Sequence, residues 1–405
     1  MKKSISVLLA CLLLCLFTQV QGQETFPRND VLDKRQNAFA FVHATIVQSP
    51  GRQIENATLV IKEGKVEQIG TNLTIPPGYQ EIDLRGKMIY PSFIDLHTNY
   101  GLPKPEGTQG RRGFRGPEQI APATKGAYNA NDAIKSYYQA SAEFEVDNKT
   151  AQDFRGAGFG TVLTFRSDGI ARGTGSLVTL GEGTANQEML ISDVAAEYSL
   201  NRGTSTQNYP QSMMGYVSLL RQTHLDAAWY RRLKTKDFTD KGLEAWNAQQ
   251  TLPQIFDAGS WMNVLRAANI GKEFGVEYVI KGGGNEYQRI IQIKEINRPL
   301  IIPINFPEAF EVEDPLDAER ISYDDMLHWE LAPANPAQLI AAGVQIALTA
   351  DGLKSPKDML ANLRKAIENG LSKEDALRAM TSTPATLIGV QDMIGSLAPG
   401  MLANF

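Results

Sequence analysis

His97 stands in the most informative stretch of the chain, Ile89-Tyr90-Pro91-Ser92-Phe93-Ile94-Asp95-Leu96-His97-Thr98-Asn99. The apolar run leading into it reads as a buried strand. A polar cluster stands where that strand would end, and a barrel of parallel strands places its chemistry at that end. Histidine is scarce: the chain has 4, His43, His97, His224 and His328. His43 falls among short predicted strands. His224 lies inside a predicted helix over residues 209–233 and reads as a surface or packing residue. His328 lies in a long connection before the last predicted strand and could reach a pocket from above. Other chemistries lack their motifs. No G-x-S-x-G elbow or H-E-x-x-H is present. The Gly-rich run at residues 169–175 precedes a strand rather than a helix, so a nucleotide fingerprint lacks its context. Gly282-Gly283-Gly284 reads as a tight strand-to-helix turn.

The elements that would position these residues follow from pattern. Residues 39–47, 57–62, 66–69 and 79–84 read as short strands separated by turn signals such as Glu63-Gly64 and Pro76-Pro77-Gly78. Further along, strand-like runs at 161–165, 176–180, 188–194, 253–256, 278–280, 300–304 and 345–349 alternate with helical stretches, among them 262–274 and 335–342. The last strand-like runs are short and apolar, which suits buried parallel strands. This alternation predicts an α/β protein built on a (β/α)8 TIM barrel. Which segments form the third and fourth barrel strands stays open. Ser372-Lys373-Glu374-Asp375 is a capping box that opens a helix.

The chain as a whole sets further bounds. Its 405 residues suffice for one large domain and a smaller one. The net charge is −5, with no basic stripe, which argues against a nucleic-acid partner. Lys2 and Lys3 precede an apolar run over residues 5–17, and Val20-Gln21-Gly22 offers small residues at a cleavage site. Residues 1–22 therefore read as a signal peptide, too short for a comfortable membrane span. A lipoprotein reading through Leu8-Leu9-Ala10-Cys11 is the alternative. The expected destination is periplasmic or extracellular, with no membrane attachment after cleavage. Losing Lys2 and Lys3 from 40 basic residues leaves 38 against 45 acidic, a net −7. Both cysteines, Cys11 and Cys15, leave with the signal, so the remaining chain has no thiolate ligand, cysteine nucleophile or disulfide.

The stretch through His97 resembles the first-strand signature of the amidohydrolase superfamily, "PGFID.H.H". The passages ATLVIKEGKVEQIG and IDLRGKMIYPSFIDLH follow the family order, and GLSKEDALRAMTSTPATLIGVQDMIGSLAPGMLANF resembles its closing passage. The Gly-rich run at 169–175 resembles a turn found in imidazolonepropionase-like members. The resemblance implies a small β-sandwich over 38–87, a barrel over 88–390, and a return to the sandwich over 391–405. It also implies that the chain stops inside the family's closing motif, so that it is part of a longer polypeptide and the sandwich has an exposed edge.

What the resemblance implies about chemistry is metal-assisted hydrolysis of a C–N bond in a small substrate. A divalent ion, zinc before others, would lower the pKa of bound water. His97 matches the first ligand position and Asn99 fills the second, where its neutral amide is a poorer zinc donor than imidazole. In LPQIFDAG, Asp257 takes the place of a histidine. In YVIKGGGNEY there is no histidine, and Lys281 follows the strand, where a cation would repel a metal. In Leu348-Thr349-Ala350-Asp351-Gly352, Asp351 carries over as general base or ligand. His97, Asn99, Asp257 and Asp351 are thus the expected metal ligands and Asp351 the catalytic group, with a modified mononuclear site or none as the two outcomes. No lysine suits a carbamate. The alternative function is a degenerate barrel serving as a scaffold or binding module, with a homo-oligomer or a second domain as partner. The arginines of the loop over 101–116, Arg111, Arg112 and Arg115, read as solvated, with an anionic substrate as the other reading.

Overall fold

The computed structural model describes residues 37–105 and 119–405. The expected signal peptide and the three loop arginines lie outside the described residues. No helix among the described residues is long and apolar enough to cross a membrane.

The N-terminal region forms one mixed sheet of five strands: β1 (Ala38–Ser49), β2 (Arg52–Lys62), β3 (Lys65–Gly70), β4 (Gln80–Asp83) and β5 (Met88–Ile89). β1 and β2 pair antiparallel, as do β2 and β3, while β4 and β5 run parallel to β1. Glu63 and Gly64, both left-handed at φ 49° and 74°, make the tight β2–β3 hairpin. His43, at φ 59°, sits in a register shift of β1. The shift moves the buried residues to the other face. Ala40 and Val42 pack with Val60, whereas Ala44 and Ile46 join Ala57, Leu59, Val66 and Leu397. Among the described residues this region is one five-stranded sheet. The start of its β3 edge is covered by the last residues of the chain: the Val66 amide donates to the Met401 carbonyl, and the amides of Gly400 and Ala403 donate to the carbonyls of Val66 and Gly64.

The second sheet has eight strands in sequence order: β6 (Phe93–Thr98), β7 (Phe159–Thr164), β8 (Ala171–Thr179), β9 (Met189–Ser199), β10 (Gln254–Asp257), β11 (Tyr278–Lys281), β12 (Leu300–Pro303) and β13 (Ile346–Thr349). The predicted strands and the helices at Met213–Arg232, Trp261–Phe274, Asn335–Ala341 and Lys373–Met380 are all present within a few residues. Ser372 caps the last of these, its side chain accepting from the Asp375 amide at 3.0 Å. Side chains from all eight strands, Ile94, Leu163, Leu177, Ala195, Ile255, Val279, Ile301 and Ala347 among them, form one apolar cluster. Their neighbours along the strands, such as Phe256, Ile280, Ile302 and Leu348, join a larger cluster with the helices. This alternation is what a sheet buried on both faces requires. β6 and β13, the two ends of the strand order, meet through Asp95. Its carboxylate accepts from the Thr349 hydroxyl at 2.6 Å and the Ala350 amide at 2.8 Å.

One strand departs from the expected all-parallel order. β8 is antiparallel to both β7 and β9, while the other seven share one direction. The cause is chain length. Residues 165–170 join β7 to β8, and a parallel crossover needs a dozen or more residues. The Gly-rich run supplies the opening of β8 and lets backbone approach closely. A Cβ on Gly173 would stand 2.0 Å from the Tyr138 carbonyl oxygen.

Candidate functional site

Six charged side chains converge at the end of the large sheet where its parallel strands finish. His97 lies near the end of β6, Glu197 near the end of β9, and Asp257 and Lys281 close β10 and β11. Asp351 follows β13. Arg172 reaches the same place for the opposite reason: β8 is reversed, so its beginning lies where its neighbours end.

The six form a closed ring of alternating sign. Glu197 Oε1 is 2.8 Å from His97 Nε2 and 3.1 Å from Arg172 Nη1. Arg172 Nη1 is 3.1 Å from Asp257 Oδ2, and Asp257 Oδ1 is 3.3 Å from Lys281 Nζ. Lys281 Nζ is 2.6 Å from Asp351 Oδ2, which lies 3.7 Å from His97 Nδ1. Every carboxylate stands between two cationic groups, and every cationic group between two carboxylates. Asp351 is the most open member, its side chain 37% exposed, while the Glu197 side chain is 0% exposed.

The electrostatics follow from this alternation. Burial would strip His97 of its proton, but the carboxylates of Glu197, Asp351 and Asp257 outweigh it and push its pKa up to about 10. Burial opposes ionisation of Asp257 too, yet His97, Arg172 and Lys281 hold it down at about 2. Asp351 is held well below the ordinary carboxylate range by His97 and Lys281, against the effect of burial. By formal charge the ring sets three carboxylates against three basic groups and is neutral as a unit. Asp95 behaves differently: burial dominates and raises its pKa to about 6, against hydrogen bonds from Thr349, the His97 amide and the Ala350 amide.

The sequence expectations meet this ring unevenly. It brings together His97, Asp257 and Asp351. Asn99 is outside it: β6 ends at Thr98, so strand alternation no longer governs the next residue, and Asn99 is exposed beside a different cavity with Glu143 and Asp147. His328 does not reach the ring either; its Nδ1 lies 3.1 Å from the Tyr287 hydroxyl. His224 is a packing residue, stacked on Phe274 at 4.3 Å with Trp246 edge-on. Glu197 and Arg172 were not among the candidates. Glu197 lay beyond the predicted end of its strand at residue 194, whereas β9 continues to Ser199. Arg172 was hidden in a run read only for its glycines.

A divalent metal fits this arrangement poorly. One observation favours it: neither ring nitrogen of His97 nor either carboxylate oxygen of Glu197 meets a partner at hydrogen-bonding angles, so charge rather than directed bonds holds them. The charge count opposes it. The carboxylates that would bind the ion are already bridged by Arg172 and Lys281. A dication about 4 Å from one buried unit cation would be repelled by roughly 8 kcal/mol at an effective dielectric constant of 20. Among the described residues, no group of three or more His, Asp or Glu is arranged to hold a metal ion.

Comparison with known proteins places the fold. The pattern of the Amidohydrolase family matches residues 333–405. Imidazolonepropionase from Legionella pneumophila (strain Corby) is 33% identical over 63 residues, a match spanning 14% of this chain and 16% of that relative's length. The crystal structure of an amidohydrolase from Thermotoga maritima MSB8 superposes with a TM-score of 0.70 at 21% identity, covering 90% of this chain and 92% of the other. A prolidase complexed with N-methylphosphonate-L-proline gives 0.51 at 15% identity, over 90% and 91%. Residues 333–405 are thus similar in sequence to the Amidohydrolase family, and the likeness to the solved structures is one of fold over most of the chain.

Proposed function

We propose that the large sheet closes into an eight-stranded barrel, a variant of the (β/α)8 barrel with β8 reversed, and that the chain is a hydrolase acting on a C–N bond of a small substrate that enters beside Asp351. The observation that carries this reading is the convergence of charged side chains from β6, β8, β9, β10 and β11, and from just after β13, at the end of the sheet where such a barrel places its chemistry. Asp351 is ionised, accessible and 2.6 Å from an ammonium. It accepts a proton from water as that water attacks the carbonyl carbon, and returns the proton to the departing nitrogen. Lys281 stabilises the oxygen that gains negative charge. The same ammonium lowers the basicity of Asp351, so turnover is expected to be slow. A small-molecule substrate, export by the N-terminal signal, and the absence of nucleic-acid or membrane partners belong to the same proposal.

The test is amine or ammonia release from a panel of small amides, cyclic amides, amidines and dipeptides, with and without chelator. Activity is expected on at least one of these and should fall at least about a hundredfold in Asp351→Asn, the scale of losing a general base. Release no faster than in that variant across the panel would refute hydrolysis. A second reading, a non-catalytic binding barrel, is favoured by the neutrality of the ring. It predicts compounds that raise the melting temperature without being consumed.

A further inference from the structure

We propose that Arg172 and Lys281 are resident cations that take the place of divalent metal, so that the site is complete with no ion bound. This stands independently of whether the chain hydrolyses anything. Arg172 joins Glu197 to Asp257 at 3.1 Å on each side, and Lys281 joins Asp257 to Asp351 at 3.3 and 2.6 Å. A metal bridging either pair would have to evict the group already bridging it. Both cations are fixed by the fold. Arg172 Nε also donates to the Gly169 carbonyl at 3.3 Å, and its position depends on the reversal of β8. Lys281 is the last residue of β11, pinned on its strand by pairing with β10 and β12. With both present the three carboxylates are neutralised together with His97. Removing either one leaves a carboxylate pair with one bridging cation missing, beside imidazole nitrogens not aligned with any partner. That is the composition of a site that accepts a dication.

The experiment reads metal content and thermal stability. The full chain is stripped with chelator, dialysed against excess zinc or manganese, desalted and analysed by elemental mass spectrometry. Melting is then followed with and without each ion. The wild type is expected to retain no stoichiometric metal and to show no shift. Lys281→Met and Arg172→Met are expected to melt lower and to regain several degrees on adding zinc. Stoichiometric metal in the wild type that disappears in His97→Gln would overturn the proposal. Metal that persists in His97→Gln lies outside the ring and agrees with it. Should either methionine variant fail to fold, the wild-type measurement decides alone.

Discussion

His97 shows how a side chain's meaning changes with its neighbours. In the sequence it matches a metal-ligand position; in the structure it is the third cation of a neutral ring. Its raised pKa makes a prediction about stability. A group whose folded pKa lies above its unfolded value stabilises below the latter and loses that effect as pH climbs. For His97 the contribution is complete below pH 6.5 and declines toward about 10. Asp257 works in the other sense: its contribution is present above 3.8 and is lost as pH falls toward about 2. The ring should therefore contribute a plateau of stability between roughly pH 4 and 6.5, falling on either side. Chemical denaturation of the wild type and His97→Gln between pH 6 and 9 checks this. A variant curve parallel to the wild type would show that His97 carries no such charge. The residues found only in the structure, Glu197 and Arg172, are among its most buried members. Sequence pattern has no direct signal for two opposite charges buried together, because each is costly to bury alone and only pairing offsets the cost.

Among the elements, β8 decides the site. Its direction was not legible from its residues, which look like any short strand. What could have been read was the brevity of residues 165–170, since a loop of that length allows a hairpin and forbids a crossover. Reversal brings Arg172 to the mouth, and Gly173 makes it possible. Gly173 is left-handed at φ 81° and leaves no room for a side chain beside Tyr138. Gly173→Ala is expected to destabilise the protein by about 2–3 kcal/mol, through strain and a displaced segment at residues 134–139. Equilibrium unfolding measures this, and a change under about 0.5 kcal/mol would show that β8 does not depend on the glycine. By contrast, β10 to β13 were legible as short apolar runs because both their faces are buried.

In the whole molecule, the two sheets are tied together by the last residues. Residues 400–403 pair with β3 and the hairpin before it, while the Asn404 carbonyl accepts from the Ser92 amide and its side chain donates to Thr161 at 2.8 Å. Leu397 enters the apolar cluster of the small sheet. Deleting residues 397–405 should therefore lower the melting temperature by more than about 5 °C and raise hydrogen exchange in β3 before it affects β10 to β13. Unchanged exchange in β3 would show that the tail contributes little to that edge.

By itself the sequence determined the family resemblance, the succession of strands and helices, and the places of His97, Asp257 and Asp351, because periodicity, turn residues and short signatures act over local stretches of chain. Tertiary structure decided the rest: that β8 runs backwards, that Asn99 turns away, and that Arg172 and Glu197 complete a ring with residues far along the chain. Charge neutrality in a buried site is a sum over groups brought together in space, and no local pattern records that sum.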